Sequence, residues 1–194
     1  MRNKKKFNNL LSYKNVEKKE KFFLYKDFSN TDSYNVKFDF SIFKFCKFYK
    51  TIIKASNFYG CIFEWSDFRS SNFNHTRFTK AIFRNVYFGD CKLNQAHFKY
   101  AKFENCIFKV SDYKNLKDKE GIICERDLDI GTNNLALQLK NNFNIIELNK
   151  IDLQRLLLVF TEDVIIKAIT YKKPSKNELH YIVRIINDYQ KINP

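Results

Sequence analysis

The residues capable of chemistry in this 194-residue chain are few and scattered: five Cys and three His. Thiols and imidazoles make a metal site or an activated nucleophile only when they recur at ligand spacing, as in Cys-x-x-Cys, or when a base stands beside the nucleophile. Neither arrangement occurs. Cys46, Cys61, Cys91 and Cys106 have no Cys or His partner at such spacing, and His75, His97 and His180 stand apart from one another. There is also no Gly-rich phosphate loop, nucleophile elbow or paired-carboxylate motif. No catalytic, cofactor-binding or metal-binding residue is expected, and the chain does not read as an enzyme. The role of Cys124 stays open.

The elements that must hold these side chains explain their scatter. The stretch "CIFEWSDFRSSNFNHTRFTKAIF", residues 61–83, places Phe at 63, 68, 73, 78 and 83. A strand facing a core repeats every second residue and a helix every 3.6, so a period of five fits neither. The frame holds for sixteen steps between residues 36 and 115, and thirteen of the sixteen centres are Phe; Ile53, Leu93 and Tyr113 fill the rest with similar bulk. Two residues before each centre the side chain is small without exception, from Val36, Ser41, Cys46 and Thr51 through to Ser111. A large and a small slot, both turned inward, describe a five-residue wall with a turn at each end. Cys46, Cys61, Cys91 and Cys106 all occupy the small slot, where a free thiol serves as a modest hydrophobe. Cys46 and Cys106 share a wall but lie three coils apart, roughly 14 Å at the strand spacing, which is too far for a disulfide.

This pattern, seen in "SDFRS", "SNFNH", "TRFTK" and "AKFEN", closely resembles the pentapeptide repeat family. The resemblance implies a mainly β solenoid: a right-handed quadrilateral β-helix of about four coils, twenty residues to a coil. A unit this small cannot bury its own apolar face, so neighbours must stack to form a continuous core. Quinolone-resistance members of the family imply a further function, a DNA mimic that binds topoisomerases. That reading needs an acidic rod, and this one has the opposite sign.

The net charge is +14. Residues 1–35 carry nine Lys/Arg against four Asp/Glu, residues 36–115 fourteen against six, and residues 116–194 twelve against eleven. Such a field favours nucleic acid, acidic proteins or anionic surfaces. Lys and Asn are frequent throughout the chain together with Ile and Phe, so compositional bias is the competing explanation. A hydrophobic content of 44% is enough for a core. There is no run of eighteen apolar residues for a membrane span, and the basic N-terminus lacks the apolar stretch of a secretory signal. The expected location is the cytoplasm.

Outside the repeats the chain divides into three further parts. Residues 1–35 read as a basic N-terminal arm and cap, in which Phe23 and Phe28 keep the phase without the small partner. An open solenoid end exposes unpaired backbone, so covers are expected at both ends. After the repeat domain, 36–115, comes a charged connector, 116–132, with one stray turn around Gly121 and Ile123. Residues 133–194 form a C-terminal α-helical region, serving as cap, dimerisation element or both. Helix-spaced aliphatics mark 133–142, 151–160 and 161–170, with Thr161 starting a separate helix. The last helix is expected to open on a Ser175/Glu178 capping box, with Leu179, Ile182, Val183, Ile186 and Tyr189 on one apolar face.

Function must come from what points outward. Residues n and n+20 stack on one wall, and the wall centred on Phe43, Phe63, Phe83 and Phe103 shows Ile42, Ile62 and Ile82 in one column and Phe45 and Trp65 in another. This apolar wall is expected to bind a protein partner, unless the terminal segments cover it. Beside it Lys44, Glu64, Arg84 and Glu104 alternate in sign as a cross-strand charge ladder. The wall centred on Phe58 and Phe78 carries Lys37, Arg77, Lys80, His97 and Lys99, the expected surface for nucleic acid or an acidic partner. The expected function is therefore a non-enzymatic interaction scaffold, with electrostatic nucleic-acid binding as the alternative and a homodimer through the C-terminal helices as a further expectation.

Overall fold

The computed structural model describes residues 12–109, 122–124, 131–145, 148–176 and 178–193. The chain divides into two compact units, residues 1–128 and 129–194. The first is a β-solenoid whose rungs repeat every twenty residues. Its best-formed wall is a parallel sheet of β1 (Phe22–Leu24), β3 (Ile42–Lys44), β5 (Ile62–Glu64), β6 (Ile82–Arg84) and β8 (Lys102–Glu104), with Phe23, Phe43, Phe63, Phe83 and Phe103 in register. A second wall contains β7 (Tyr87–Phe88) and β9 (Cys106–Phe108), and a third β2 (Asp32–Tyr34) and β4 (Ile52–Lys54). The fourth is held by single bridges linking Glu17, Lys37, Asn57, Arg77 and His97.

Pairing extends below residue 36: Lys14 bridges Tyr34 and β1 pairs β3, so the described part of the segment read as arm and cap winds in the same ladder. Lys21 and Lys26 occupy the small slot there and are exposed. A slot at the end of a stack need not be small, because a long side chain can turn out to solvent. At the other end β10 (Ile122–Cys124) stacks Ile123 on Ile107, a step of sixteen rather than twenty, and so places the backbone of Cys124 beside Phe108. The repeat centre at Tyr113 and most of the connector lie outside the described residues.

Every fifth residue from Asn15 to Asn105 has a positive φ, between 50° and 63°. This is the residue two after each centre, and it turns the corner. Left-handed backbone is least costly for Gly, Asn and Asp and most costly for β-branched residues. The slot accordingly holds Asn15, Asn30, Asn35, Gly60, Asn85, Asp90 and Asn105, and no Val, Ile or Thr. In many corners the carbonyl of the centre accepts the amide three residues on, as Phe58 does from Cys61 at 3.2 Å.

The same carbonyls explain why the small slot is so often polar. The hydroxyl of Thr76 donates to the carbonyl of Ile53 at 2.9 Å, that of Ser66 to Phe43 at 3.3 Å, and those of Thr51 and Ser71 to Phe28 and Phe48. The thiols act alike: Cys46 donates to Phe23 at 3.3 Å, Cys61 to Phe38 at 3.1 Å, Cys91 to Phe68 at 2.8 Å and Cys106 to Phe83 at 3.4 Å. Each bond joins residues 23 apart and gives an inward carbonyl a side-chain donor from the next coil, which at Phe28, Phe38, Phe48 and Phe68 adds to the amide three residues on. The slot therefore selects a small volume and uses a donor where it has one, while Val36, Ala81, Val86 and Ala101 fill it without one.

The axis is filled by ring columns. Phe23, Phe43, Phe63, Phe83 and Phe103 stack at 4.8–5.1 Å with planes within 12°, and Phe38, Phe58, Phe78 and Phe98 do likewise at 4.9–5.2 Å. That spacing is the inter-strand distance, so the backbone ladder imposes ring stacking. Phe68 is turned edge-on to Phe48 and Phe88, at the level where Phe73 brings a ring to 4.9 Å from it.

The second unit is helical: α1 (Asn133–Phe143), α2 (Lys150–Leu157), α3 (Glu162–Tyr171) and α4 (Leu179–Ile192). Thr161 caps α3 by accepting the Val164 amide at 3.4 Å, and Asn149 caps α2 by accepting that of Asp152 at 3.0 Å. The expected capping box is not formed. Glu178, rather than Ser175, occupies the N-cap of α4, and no side-chain cap bond is made there. The helix begins at Leu179, one turn before its first buried residues, Ile182 and Val183, while Ser175 lies outside it and is exposed. Ile185 and Ile186 complete that face, and α4 packs on α3 with Tyr189 and Tyr171 rings 5.9 Å apart.

Candidate functional site

Outward positions on each wall are the residues one before, one after and two after the centre, and stacking turns each into a column. On the wall of β1, β3, β5, β6 and β8 the first column is Phe22, Ile42, Ile62, Ile82 and Lys102, in direct register. The middle column is an ion-pair ladder: Lys44 to Glu64 at 3.1 Å, Glu64 to Arg84 at 3.1 Å, and Arg84 to Glu104 at 3.1 Å. The third column is aromatic, with Tyr25 and Phe45 stacked at 5.5 Å and Phe45 and Trp65 at 6.4 Å.

Of the five residues expected to form a partner-binding patch, Ile42, Ile62 and Ile82 are half-buried and keep one face outward. Phe45 and Trp65 are not exposed: each is 9% accessible. They sit at left-handed corners, φ 52° at both, and their rings stack along the wall, with Lys44 Nζ 5.8 Å from the Phe45 ring. The accessible apolar surface lies further toward the N-terminus, on Phe22 at 60%, Tyr25 at 42% and Leu24. Extending the twenty-residue register one coil down from Ile42, Lys44 and Phe45 would have found all three.

The bridged fourth wall brings Arg77 and His97 into one column, with Lys80 and Lys99 in the two beside it, all exposed. Lys37 shares the column but is neutralised, its Nζ 2.6 Å from Glu17 Oε1. Lys19 reaches the same carboxylate at 3.2 Å. The paired cations hold the Glu17 carboxyl below its ordinary value, the Lys37 hydrogen bond first among the causes. Asp39, on the same lower rungs, has its carboxyl pushed up by burial, against the pull of Lys19 and Lys37. The upper rungs add aromatic rings that the sequence reading missed: Tyr59 with Lys80 Nζ 5.5 Å from its centroid, and Tyr100 with Lys99 Nζ at 5.0 Å. Phe40, 56% exposed, packs edge-on to Tyr59 at 5.3 Å.

A shallow concavity of about 240 Å³ lies at another corner, where Lys50, Ser70, Asn72 and Lys92 converge. Among the described residues no group of three His, Cys, Asp or Glu could hold a metal ion. His75 and His97 point outward on different walls, and His180 lies on α4. The buried thiols of Cys46 and Cys61 are pushed up to about 12 by burial, so they stay protonated and unreactive in neutral solution. No helix among the described residues is long and apolar enough to cross a membrane.

Residues 41–117 match the family model described as "Pentapeptide repeat region". No curated protein sequence matches the chain. Among solved structures the chain is similar to Rfr23, a pentapeptide repeat protein from the cyanobacterium Cyanothece 51142, with 10% identity, 49% of this chain and 90% of that chain covered, and a TM-score of 0.35. It is similar also to HetL from the cyanobacterium Nostoc sp. strain PCC 7120, at 14% identity, 47% and 40% coverage and a TM-score of 0.27. QnrB1, a plasmid-mediated fluoroquinolone resistance protein, matches at 14% identity over 72% of this chain and 99% of that one, with a TM-score of 0.24.

Proposed function

From the premise that this is a pentapeptide-repeat protein, we propose that it is an interaction scaffold whose apolar wall recruits a protein partner. The observation that carries this reading is the continuous outward column Phe22, Ile42, Ile62 and Ile82, flanked at its N-terminal end by exposed Leu24 and Tyr25. Isolated exposed apolar residues are ordinary, but a contiguous stripe on a rigid flat wall marks a surface to be covered. The charge ladder beside it is satisfied within the wall and so leaves the apolar column as the recognition element. The helical unit favours this surface over its own: Ile182, Val183, Ile185 and Ile186 are already buried within one chain.

Charge pairing argues for this reading over DNA mimicry. Glu64 and Glu104 are bound to Arg84, Asp67 to Arg69, and Asp90 to Lys109 at 2.9 Å, so these carboxylates do not line up as a free acidic strip. The test is a pull-down with tagged protein and its Phe22→Asp/Tyr25→Asp variant. Both sites are exposed, so the variant is expected to keep the far-ultraviolet circular dichroism of the parent and a cooperative melt, lowered at most by loss of the Tyr25–Phe45 stack, while losing its captured partner. Recovery of the same partner by the folded variant overturns the proposal. Substitution at Trp65 is unsuitable for this purpose, because its burial would confound lost binding with lost fold.

A further inference from the structure

The three upper rungs of the fourth wall form a grid: Asn57, Arg77 and His97; Tyr59, Thr79 and Lys99; Gly60, Lys80 and Tyr100. It holds three permanent cations, two tyrosines and no carboxylate. The positive field of this wall is concentrated there, because on the rungs below Lys37 and Lys19 are paired with Glu17 and lie beside Asp39 and Glu20. Arg77, Lys80, His97 and Lys99 are exposed, and the Tyr100 ring is 67% accessible. Phe40 extends the aromatic surface downward by lying over Gly60, where a Cβ would come within 2.8 Å of its ring.

We propose that this grid binds single-stranded nucleic acid, its cations taking phosphates and the exposed rings of Tyr100 and neighbouring Phe40 stacking unpaired bases. The wall is flat and about 10 Å tall over three rungs at the inter-strand spacing. It presents no helix or ribbon to enter a major groove, so a duplex would meet it only through one face of its backbone. Cations interleaved with aromatic rings are the combination that single strands use: charge tracks the backbone, and every base has a face to stack. An acidic peptide would use the charges and leave the rings idle. The proposal is independent of the apolar wall, which lies on a different face of the solenoid.

The test is fluorescence anisotropy of the full chain with labelled oligothymidylate about twelve nucleotides long, compared with a duplex of equal length and with poly-glutamate. With three phosphate contacts the single-strand slope is about −2, so affinity should fall roughly twenty-fold between about 50 and 200 mM salt. Tyr100→Ala should weaken the oligonucleotide about ten-fold and leave the salt slope unchanged. Arg77→Ala/Lys99→Ala should lower both affinity and slope, while Phe22→Asp/Tyr25→Asp should change neither. No binding at 50 mM salt, duplex or poly-glutamate bound as tightly as the single strand, or an unchanged affinity in Tyr100→Ala would each overturn the proposal.

Discussion

Truncation of Phe63 measures how much the ring column holds the solenoid together. Its ring stacks between Phe43 at 4.8 Å and Phe83 at 5.1 Å, and Phe48, Phe58, Phe68 and Phe78 surround it within 6.2 Å. It is fully buried, so Phe63→Ala removes a whole ring and leaves a cavity between two ladders that cannot collapse without breaking their hydrogen bonds. Phe-to-Ala changes in cores cost about 3–5 kcal/mol. Two lost stacked pairs, each adding about 0.5–1.5 kcal/mol beyond area, place this one at the upper end. Phe23 differs: it is half-buried and stacks on Phe43 alone within its column, so Phe23→Ala should cost roughly half as much. Phe63→Leu should cost only about 1–1.5 kcal/mol, since Leu93 already fills a centre. The assay is urea unfolding followed by fluorescence of Trp65, the sole Trp, which lies in the solenoid and reports that unit alone. Equal costs for Phe23→Ala and Phe63→Ala would refute the reasoning, because burial and stacking both predict the larger loss at Phe63.

Three further outcomes are expected. Burial raises the Cys46 and Cys61 thiols from 9.0 to about 12, so the protons they hold in the fold are lost first from the unfolded chain; stability should decline as pH rises above about 9, and less so in Cys46→Ala/Cys61→Ala, as read by chemical denaturation across that range. Arg84→Ala should cost no more than about 1 kcal/mol and less in high salt, because Arg84 is 40% exposed although it bridges two glutamates; thermal melts at two ionic strengths check this. Asn30 has φ 56°, so Asn30→Val should lose about 1–3 kcal/mol while Asn30→Gly stays near the parent, a difference that urea midpoints would show.

The inward half of the solenoid was legible because strict periodicity leaves each residue one role. A centre every five residues fixes which side chains face the axis, and a twenty-residue coil fixes which ones stack, so the wall containing Ile42, Ile62 and Ile82 and the ladder from Lys44 to Glu104 could be placed by counting. Corner conformation also had a signal, the absence of β-branched residues at the corners from Asn15 to Asn105. Exposure had none. Phe45 and Trp65 occupy an outward slot, yet stacking along the wall buries them, and Lys37 occupies a basic column, yet Glu17 from the coil below neutralises it. The start of α4 likewise falls at Leu179, with Glu178 rather than Ser175 at the N-cap.

By itself, then, the order of residues determined direction and register, since those depend only on bond geometry repeated at a fixed interval. Tertiary structure alone decided which outward groups remain available, because availability depends on neighbours twenty residues away and on which ring or carboxylate reaches them first.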